Sequence, residues 1–328
     1  MKRGSVSEKK GGRKPASLTE PTLVETLREI VEVHTAGSPV EPGRLWTNRS
    51  PRELADALQR EGFSICANTV CRLLEEELHL SRRQAVKTLS MGEHPDRDAQ
   101  FKRMTKLKAE YLQRGWPVVS IDTKKKELIG EFFRPGHART DGHVRTLDHD
   151  FPSAGDGKII PYGVYDLATN EGFVLLAQGA DTGELACAAL RRWWYRLGRQ
   201  QYPRAGGMLV LADCGGSNGY RVALFREQLW HTAVRLDLPI RVSHLPPYCS
   251  KYNPIDHRLF CHLTRSLKGM LVQSLEIVRN AFARATTSTG LRVIVEVARR
   301  IYQAGIKPSD AFLDNEPIIR DRYLPAFN

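Results

Sequence analysis

The feature that most constrains this chain is a single change of hydrophobic period at Gly115. On its C-terminal side lie four short runs rich in β-branched and aromatic residues, WPVVSID (116–122), ELIGEFF (127–133), IIPYGVYDL (159–167) and GFVLLAQ (172–178), separated by turn residues. Runs of this kind suit a pleated, half-buried surface, and they predict three consecutive antiparallel strands with a long insertion. Helix and strand then alternate. A helix over 184–197 would turn Ala186, Leu190, Trp193 and Leu197 inward, which makes Trp193 and Trp194 packing residues rather than base-stacking ones. MLVLAD (208–213) and IRVSHL (240–245) read as strands, with helices over about 218–235 and about 254–268. No internal repeat is apparent, and residues 271–328 read as a helical extension with a frayed, proline-containing end.

Three strands followed by alternating helix and strand is the order of an RNase H-like fold, an α/β arrangement with a mixed sheet and flanking helices. The sequence places this domain over 116–270. Fold alone does not fix a function.

N-terminal to Gly115 the spacing is helical. Residues 1–16 carry Lys2, Arg3, Lys9, Lys10, Arg13 and Lys14 among glycine and serine, too polar to pack and suited either to phosphates or to solvent as a disordered arm. Leu23, Leu27, Ile30 and Val31 mark a first helix that stops before the turn-rich GSPVEPGR. At Ser50 a second helix has its cap, with Pro51 in the first helical position and Glu53 completing a capping box. Leu54, Ala55 and Leu58 form its inner stripe, Gly62 permits a tight turn, and a further helix from about Ser64 buries Ile65, Val70, Leu73 and Leu74. Over 17–90 this reads as an all-α helix-turn-helix DNA-binding region preceding the sheet. The outward Ala67, Asn68, Thr69 and Arg72 would then face base edges, with an ordinary helical hairpin as the alternative. A connecting helix over 91–115 carries Phe101, Met104, Leu107 and Tyr111 on one face.

Composition narrows the partner. A chain of 328 residues exceeds one typical domain, and its 49 Lys+Arg against 37 Asp+Glu leave a formal charge of +12 and favour a polyanion, nucleic acid first. No stretch approaches the roughly 18 apolar residues of a membrane span, and the basic N-terminus leads into no apolar signal region. Six cysteines without a CxxC pair argue against a zinc module and a disulfide framework, and for a reducing, cytoplasmic setting. His137, His143 and His149 read as a polar loop rather than a metal site.

Three aspartates carry the chemistry. Asp122 ends the strand VVSI, Asp213 ends MLVLA, and Asp256 follows the loop PPYCSKYNP on a helix. Carboxylates at strand ends project from a sheet edge. A pair of divalent ions held there roughly 4 Å apart could neutralise a phosphate, activate a water or 3′-hydroxyl and stabilise the leaving oxygen. Mg2+ suits such hard oxygen ligands, with Mn2+ as its substitute. Taken singly, each aspartate could equally be a turn or solvated residue. Lys124, Lys125 and Lys126 after the first aspartate, and Lys251, His257 and Arg258 around the third, could hold phosphates, with a solvated charge run as the alternative for the lysines.

The segments IDTKKKELIGEF (121–132), IPYGVYDLATNEGFV (160–174), LADCGGSNGYR (211–221) and HLPPYCSKYNPIDHRLF (244–260) together resemble the Rhodopirellula-type DDE transposases of bacterial insertion sequences. The likeness extends through HPDRDAQF (94–101), RRWW (191–194) and TTSTGLRV (286–293). It implies a region that binds transposon end repeats and a catalytic domain whose acidic triad cuts and joins double-stranded DNA, ends and target alike. Matched position by position, the triad is Asp122, Asp213 and Asp256. The family usually shows glutamate third, so Asp256, 43 residues after Asp213, reaches one methylene less. A homodimer or larger oligomer on DNA is expected, because two ends must be held together, and the protein would work at the nucleoid. A DNA-binding protein that no longer cuts and a nuclease that does not join are the alternatives.

Overall fold

The computed structural model describes residues 16–33, 45, 47–83 and 95–322. The basic arm expected at 1–16 lies, except for Ala16, outside the described residues. The chain divides into two compact units, residues 1–88 and 89–328.

The first unit is helical, with α1 (Ala16–Thr19), α2 (Leu23–Val33), α3 (Pro51–Arg60) and α4 (Ala67–Glu76). The capping box at the start of α3 is present: Glu53 N–H donates to Ser50 Oγ at 3.3 Å, and Ser50 N–H to Glu53 Oε2 at 2.7 Å. These contacts satisfy two backbone donors that a helix start leaves open. Leu23, Leu27 and Val31 of α2 bury themselves against Leu54 and Leu58 of α3 and Val70 and Leu73 of α4. Each such side chain contributes about 1.5–3 kcal/mol by leaving water. Helix α4 begins at Ala67 rather than near Ser64, because residues 63–66 stay extended while Gln59 Nε2 donates to the Ile65 carbonyl at 3.2 Å. Gly62 makes the turn before it at φ +95°, a conformation costly for a residue with a Cβ.

The second unit is a seven-stranded mixed sheet between helices. It comprises α5 (Arg97–Gln113), β1 (Val118–Thr123), β2 (Glu127–Ile129), β3 (Gly157–Asp166), β4 (Glu171–Gly179), α6 (Gly183–Trp193), α7 (Arg199–Gln201), β5 (Met208–Ala212), α8 (Ala223–Leu236), β6 (Ile240–His244), α9 (Cys261–Ser266), α10 (Leu275–Ala283), β7 (Arg292–Tyr302) and α11 (Asp310–Asp314). The strand order is β6-β5-β1-β3-β4-β7, with β2 paired to β3 off this path. Strands β1, β3 and β4 are antiparallel neighbours, while β5 and β6 run parallel to β1 on its other side. This is the RNase H-like arrangement expected from the element order. One face packs on α6 and α8 through Leu185, Trp193 and Phe225. The opposite face is covered by α9 and α10 through Leu263 and Phe282, and by α5 through Met104 and Leu107.

In the second unit the sequence reading of the elements departs from the structure in three main respects. Residues 271–328 are not a helical extension: RVIVEVARRIY (292–302) forms β7, parallel to β4 from Glu171↔Arg292 onward. Val293 is buried and Ile294, Val295 and Val297 half-buried beside β4, where β-branched side chains pack well. The helix read as a connector is part of the sheet-bearing unit, since Met104 and Leu107 find β1 and β5 to cover. The strand expected at 127–133 stops at Ile129, because Gly130 takes φ +136° and breaks the pairing with β3. His137, His143 and His149 are exposed in the stretch that follows, Trp193 and Trp194 are buried, and none of the six cysteines is paired. Among the described residues no helix is long and apolar enough to cross a membrane.

Candidate active site

Parallel pairing of β1 with β5 puts Ser120 opposite Leu211. Two residues beyond that pair stand Asp122, still within β1 and on one face of the sheet by the period of two, and Asp213, one residue past the end of β5. That face also carries Ser120 and, across the antiparallel β1–β3 pair, Gly163, the partner of Asp122. The parallel direction of β1 and β5 thus brings both aspartates to one edge of the sheet.

Asp256 reaches this edge through two devices. Asn253, wholly buried, accepts a hydrogen bond from Ser120 Oγ at 2.5 Å, and its Nδ2 lies 3.5 Å from both the Ile121 carbonyl and Asp122 Oδ2. The Ile255 N–H donates to the same Ser120 hydroxyl at 3.3 Å. The segment before Asp256 is therefore fastened to β1. The second device is Gly163, where a Cβ would stand 2.5 Å from Phe260 Cε1 and 2.8 Å from Ile255 Cδ1. Without a side chain at that position, the π-helical turn Asp256–Phe260 that precedes α9 lies directly on β3. Turns of this kind recur at functional sites.

Burial raises all three carboxylates, and neighbouring negative charge adds to it at Asp122 and Asp213. Burial, then the charges of Asp213, Asp256 and Asp181, push Asp122 up to about 8 against the opposing Thr123 N–H. Burial raises Asp213 to about 6, helped by Asp256 and Asp181 and opposed by the Gly215 N–H. Burial also raises Asp256, against the favourable charge of His257. Asp213 Oδ1 is buried with no hydrogen-bond partner among the described residues. An acceptor left bare beside like charges suits a cation. Among the described residues, no three carboxylate, imidazole or thiol groups gather closely enough to hold a metal ion by themselves.

Besides Asn253 and Gly163, one acid escaped the sequence reading. Asp181, just before the capping Thr182 of α6, accepts from Thr123 Oγ1 at 3.0 Å and from Ser217 Oγ at 2.7 Å. It ties the end of β1 to the glycine-rich turn after β5. The signal was an acid directly ahead of a helix N-cap, which reads locally as capping chemistry.

The basic residues divide. Lys124 is buried, 2.5 Å from Glu127 and over the Phe282 ring, so it does not present its charge as expected. Its neighbours Lys125 and Lys126 are exposed. Lys251, His257 and Arg258 are exposed around Asp256, with the His257 ring against the Lys251 carbonyl and the Lys251 ammonium over the Tyr252 ring. In the other unit, Asn68 and Arg72 are exposed and Thr69 half-buried on α4, with Arg72 3.8 Å from Glu76.

A family model described as Rhodopirellula transposase DDE domain matches residues 26–328. No curated protein matches the chain. Among solved structures, the Mos1 transposase paired-end complex with left transposon end is 16% identical, with a TM-score of 0.41, over 84% of this chain and 73% of its own. The Mos1 mariner paired end complex with Mg is 15% identical, with a TM-score of 0.39, over 85% and 74%. At such values the DNA and the ion of those complexes stay theirs.

Proposed function

The chain belongs to the Rhodopirellula-type DDE transposase family, and on that premise we propose that Asp122, Asp213 and Asp256 are the triad with which it cuts transposon ends and joins them to target DNA. The observation that carries this reading is the placement of Asp122 and Asp213 where two adjacent parallel strands end, close enough for the charge of Asp213 to act on Asp122, with Asp213 Oδ1 buried and unpartnered among the described residues.

Transposases of this class work with divalent metal, and the proposed complement here is two Mg2+ ions, replaceable by Mn2+. Bound, the ions would activate the attacking water or 3′-hydroxyl and take up charge on the phosphate and leaving oxygen. The chain's own part is positional. Asp122 and Asp213 present carboxylate oxygens from adjacent strands, and Asp256 approaches from the turn clamped by Asn253. Because burial raises all three carboxylates, and like charge adds to it at Asp122 and Asp213, the site should close around cations together with a DNA phosphate rather than stand preformed. Lys125, Lys251, His257 and Arg258 would hold flanking phosphates. Lys124 is left out of this set, because its pairing with Glu127 occupies its charge.

Within the helical unit, Asn68, Thr69 and Arg72 at the start of α4 are proposed to read bases at the transposon ends, in the manner of a recognition helix. Two such ends imply a homodimer or larger assembly acting at the nucleoid. The test is an end-containing duplex incubated with and without Mg2+. Metal-dependent nicks at the ends with joined products support the reading. Nicks that never join would make the chain a nuclease, and binding without nicks a regulator.

A further inference from the structure

On the face of the sheet covered by α6 and α8, guanidinium groups from three elements converge. Arg191 and Arg192 of α6, Arg235 of α8, and Arg299 and Arg300 of β7 line one groove, with Tyr195 at its side. Two carboxylates answer them: Glu296 pairs with Arg192 at 3.1 Å, and Glu184 with Arg300 at 2.8 Å. Glu296 is also shared with Arg196 at 2.5 Å. Among the described residues, Arg191, Arg235 and Arg299 have no carboxylate partner. Arg191 is half-buried and makes its hydrogen bond to the neutral Thr232 hydroxyl, at 2.7 Å. Its pKa is lowered by burial, and further by the charges of Arg235 and Arg300.

A buried cation held among other cations costs stability unless an anion completes the site. Guanidinium forks that converge from different elements suit the tetrahedral oxygens of a phosphate rather than a planar side-chain carboxylate already supplied in cis. Location adds a second constraint. Strands β1, β4, β5 and β7 all run the same way, so Arg299 and Arg300 come to the same edge of the sheet as Asp122 and Asp213. Three strand steps separate β1 from β7, about 14 Å at the usual spacing, and the registers set Asp122 level with Val295 and Arg300 beside Ile301, the partner of Gln178, roughly 10–13 Å further along the strands. Together these amount to roughly 18 Å, about half a helical turn of duplex DNA, whose full turn is about 34–36 Å.

On the proposed transposase function, we infer that the groove between α6, α8 and β7 binds a duplex phosphodiester backbone, as a third DNA-binding surface besides the carboxylate cleft and the helical unit. Its source is either the flank of a bound transposon end or the target duplex, and the chemistry is the same for both. Binding alone reads it out, so its failure is distinct from a failure of cleavage.

The experiment uses the full chain carrying Arg235→Ala and Arg299→Ala together, two exposed residues outside the proposed catalytic machinery. Affinity is measured across a salt series for an end-containing duplex and for an end-free duplex. Every phosphate that the variant no longer neutralises should reduce the log–log salt slope by about 0.9, so a fall of about two is expected on one duplex or both. A fall on the end-containing duplex alone assigns the groove to the end's flank, and on the end-free duplex alone to the target. The reference is Arg279→Ala with Arg284→Ala, on and just after α10 over the opposite face of the sheet, which should leave both slopes in place. An unchanged slope in the groove variant, or equal falls in the two double variants, would overturn the proposal. Arg235→Lys with Arg299→Lys should keep most of the slope, and a fall equal to that of the alanine pair would also count against it.

Discussion

Asn253 and Ser120 lie 133 residues apart in the chain and meet in the interior at 2.5 Å, the serine hydroxyl donating to the amide oxygen. With the amide nitrogen turned toward Ile121 and Asp122, this one side chain couples the first aspartate to the segment that carries the third.

Asn253→Ala should therefore act on metal use as well as on stability. Removing the amide leaves buried polar partners unsatisfied, at about 1–3 kcal/mol, which a thermal melt reads directly. Cleavage should need several-fold more Mg2+, because Asp256 is no longer held near Asp122. A variant that melts earlier with an unchanged Mg2+ requirement would make Asn253 a packing residue only.

Gly163→Ala is the steric counterpart. The added methyl would press on Phe260 and Ile255, and overpacking of this kind costs about 1–3 kcal/mol. Cleavage should fall by more than the loss of folded protein explains, since the turn bearing Asp256 must shift. Gly142→Ala, with nothing within 4 Å of the new methyl, should change neither.

The raised carboxylates also predict a pH dependence. Asp122 rises from 3.8 to about 8 on folding, so folding penalises its charged form. The penalty is absent below about pH 4, grows as pH climbs toward 8 and is complete above that. At about 1.4 kcal/mol per unit, discounted for partial exposure, it amounts to a few kcal/mol. In chelator, wild-type stability should decline over this window, and Asp122→Asn should flatten the decline and melt later at pH 9. Mg2+ should raise the wild-type melting temperature more than that of the variant. Equal pH profiles for the two proteins would contradict the assignment of this charge.

How much of this was legible beforehand follows from the range of each interaction. Strand ends at Asp122 and Asp213 were readable because an apolar run marks a strand and its last residue marks the edge. The capping box at Ser50 and Glu53 is equally local. Asn253, Gly163 and Asp181 were not, since each acts on residues tens to more than a hundred positions away and has an ordinary local explanation. Strand β7 was missed for a different reason: RVIVEV carries the same β-branched signal as the other strands, but it follows helical segments, and only the parallel edge of β4 gives it a place in the sheet. Lys124 looked like its neighbours in KKK, and only the placement of Glu127 and Phe282 removes it from the surface.

Base reading makes a separate prediction for the helical unit. The triple variant Asn68→Ala, Thr69→Ala, Arg72→Ala should lose preference for transposon ends over random duplex, each base contact being worth about 1–3 kcal/mol. The carboxylate cleft should still nick whatever DNA it holds. Undiminished end preference would place sequence reading elsewhere in the chain.

The central claim is tested most directly by cleavage of an end-containing duplex in Mg2+ by Asp122→Asn, Asp213→Asn and Asp256→Asn, with DNA affinity measured alongside. An amide keeps the volume of the carboxylate and removes the charge that holds the metal. Each variant should bind DNA as the wild type does and lose metal-dependent cleavage, Asp122→Asn and Asp213→Asn most severely. Cleavage at the wild-type rate by any one of the three would contradict the triad.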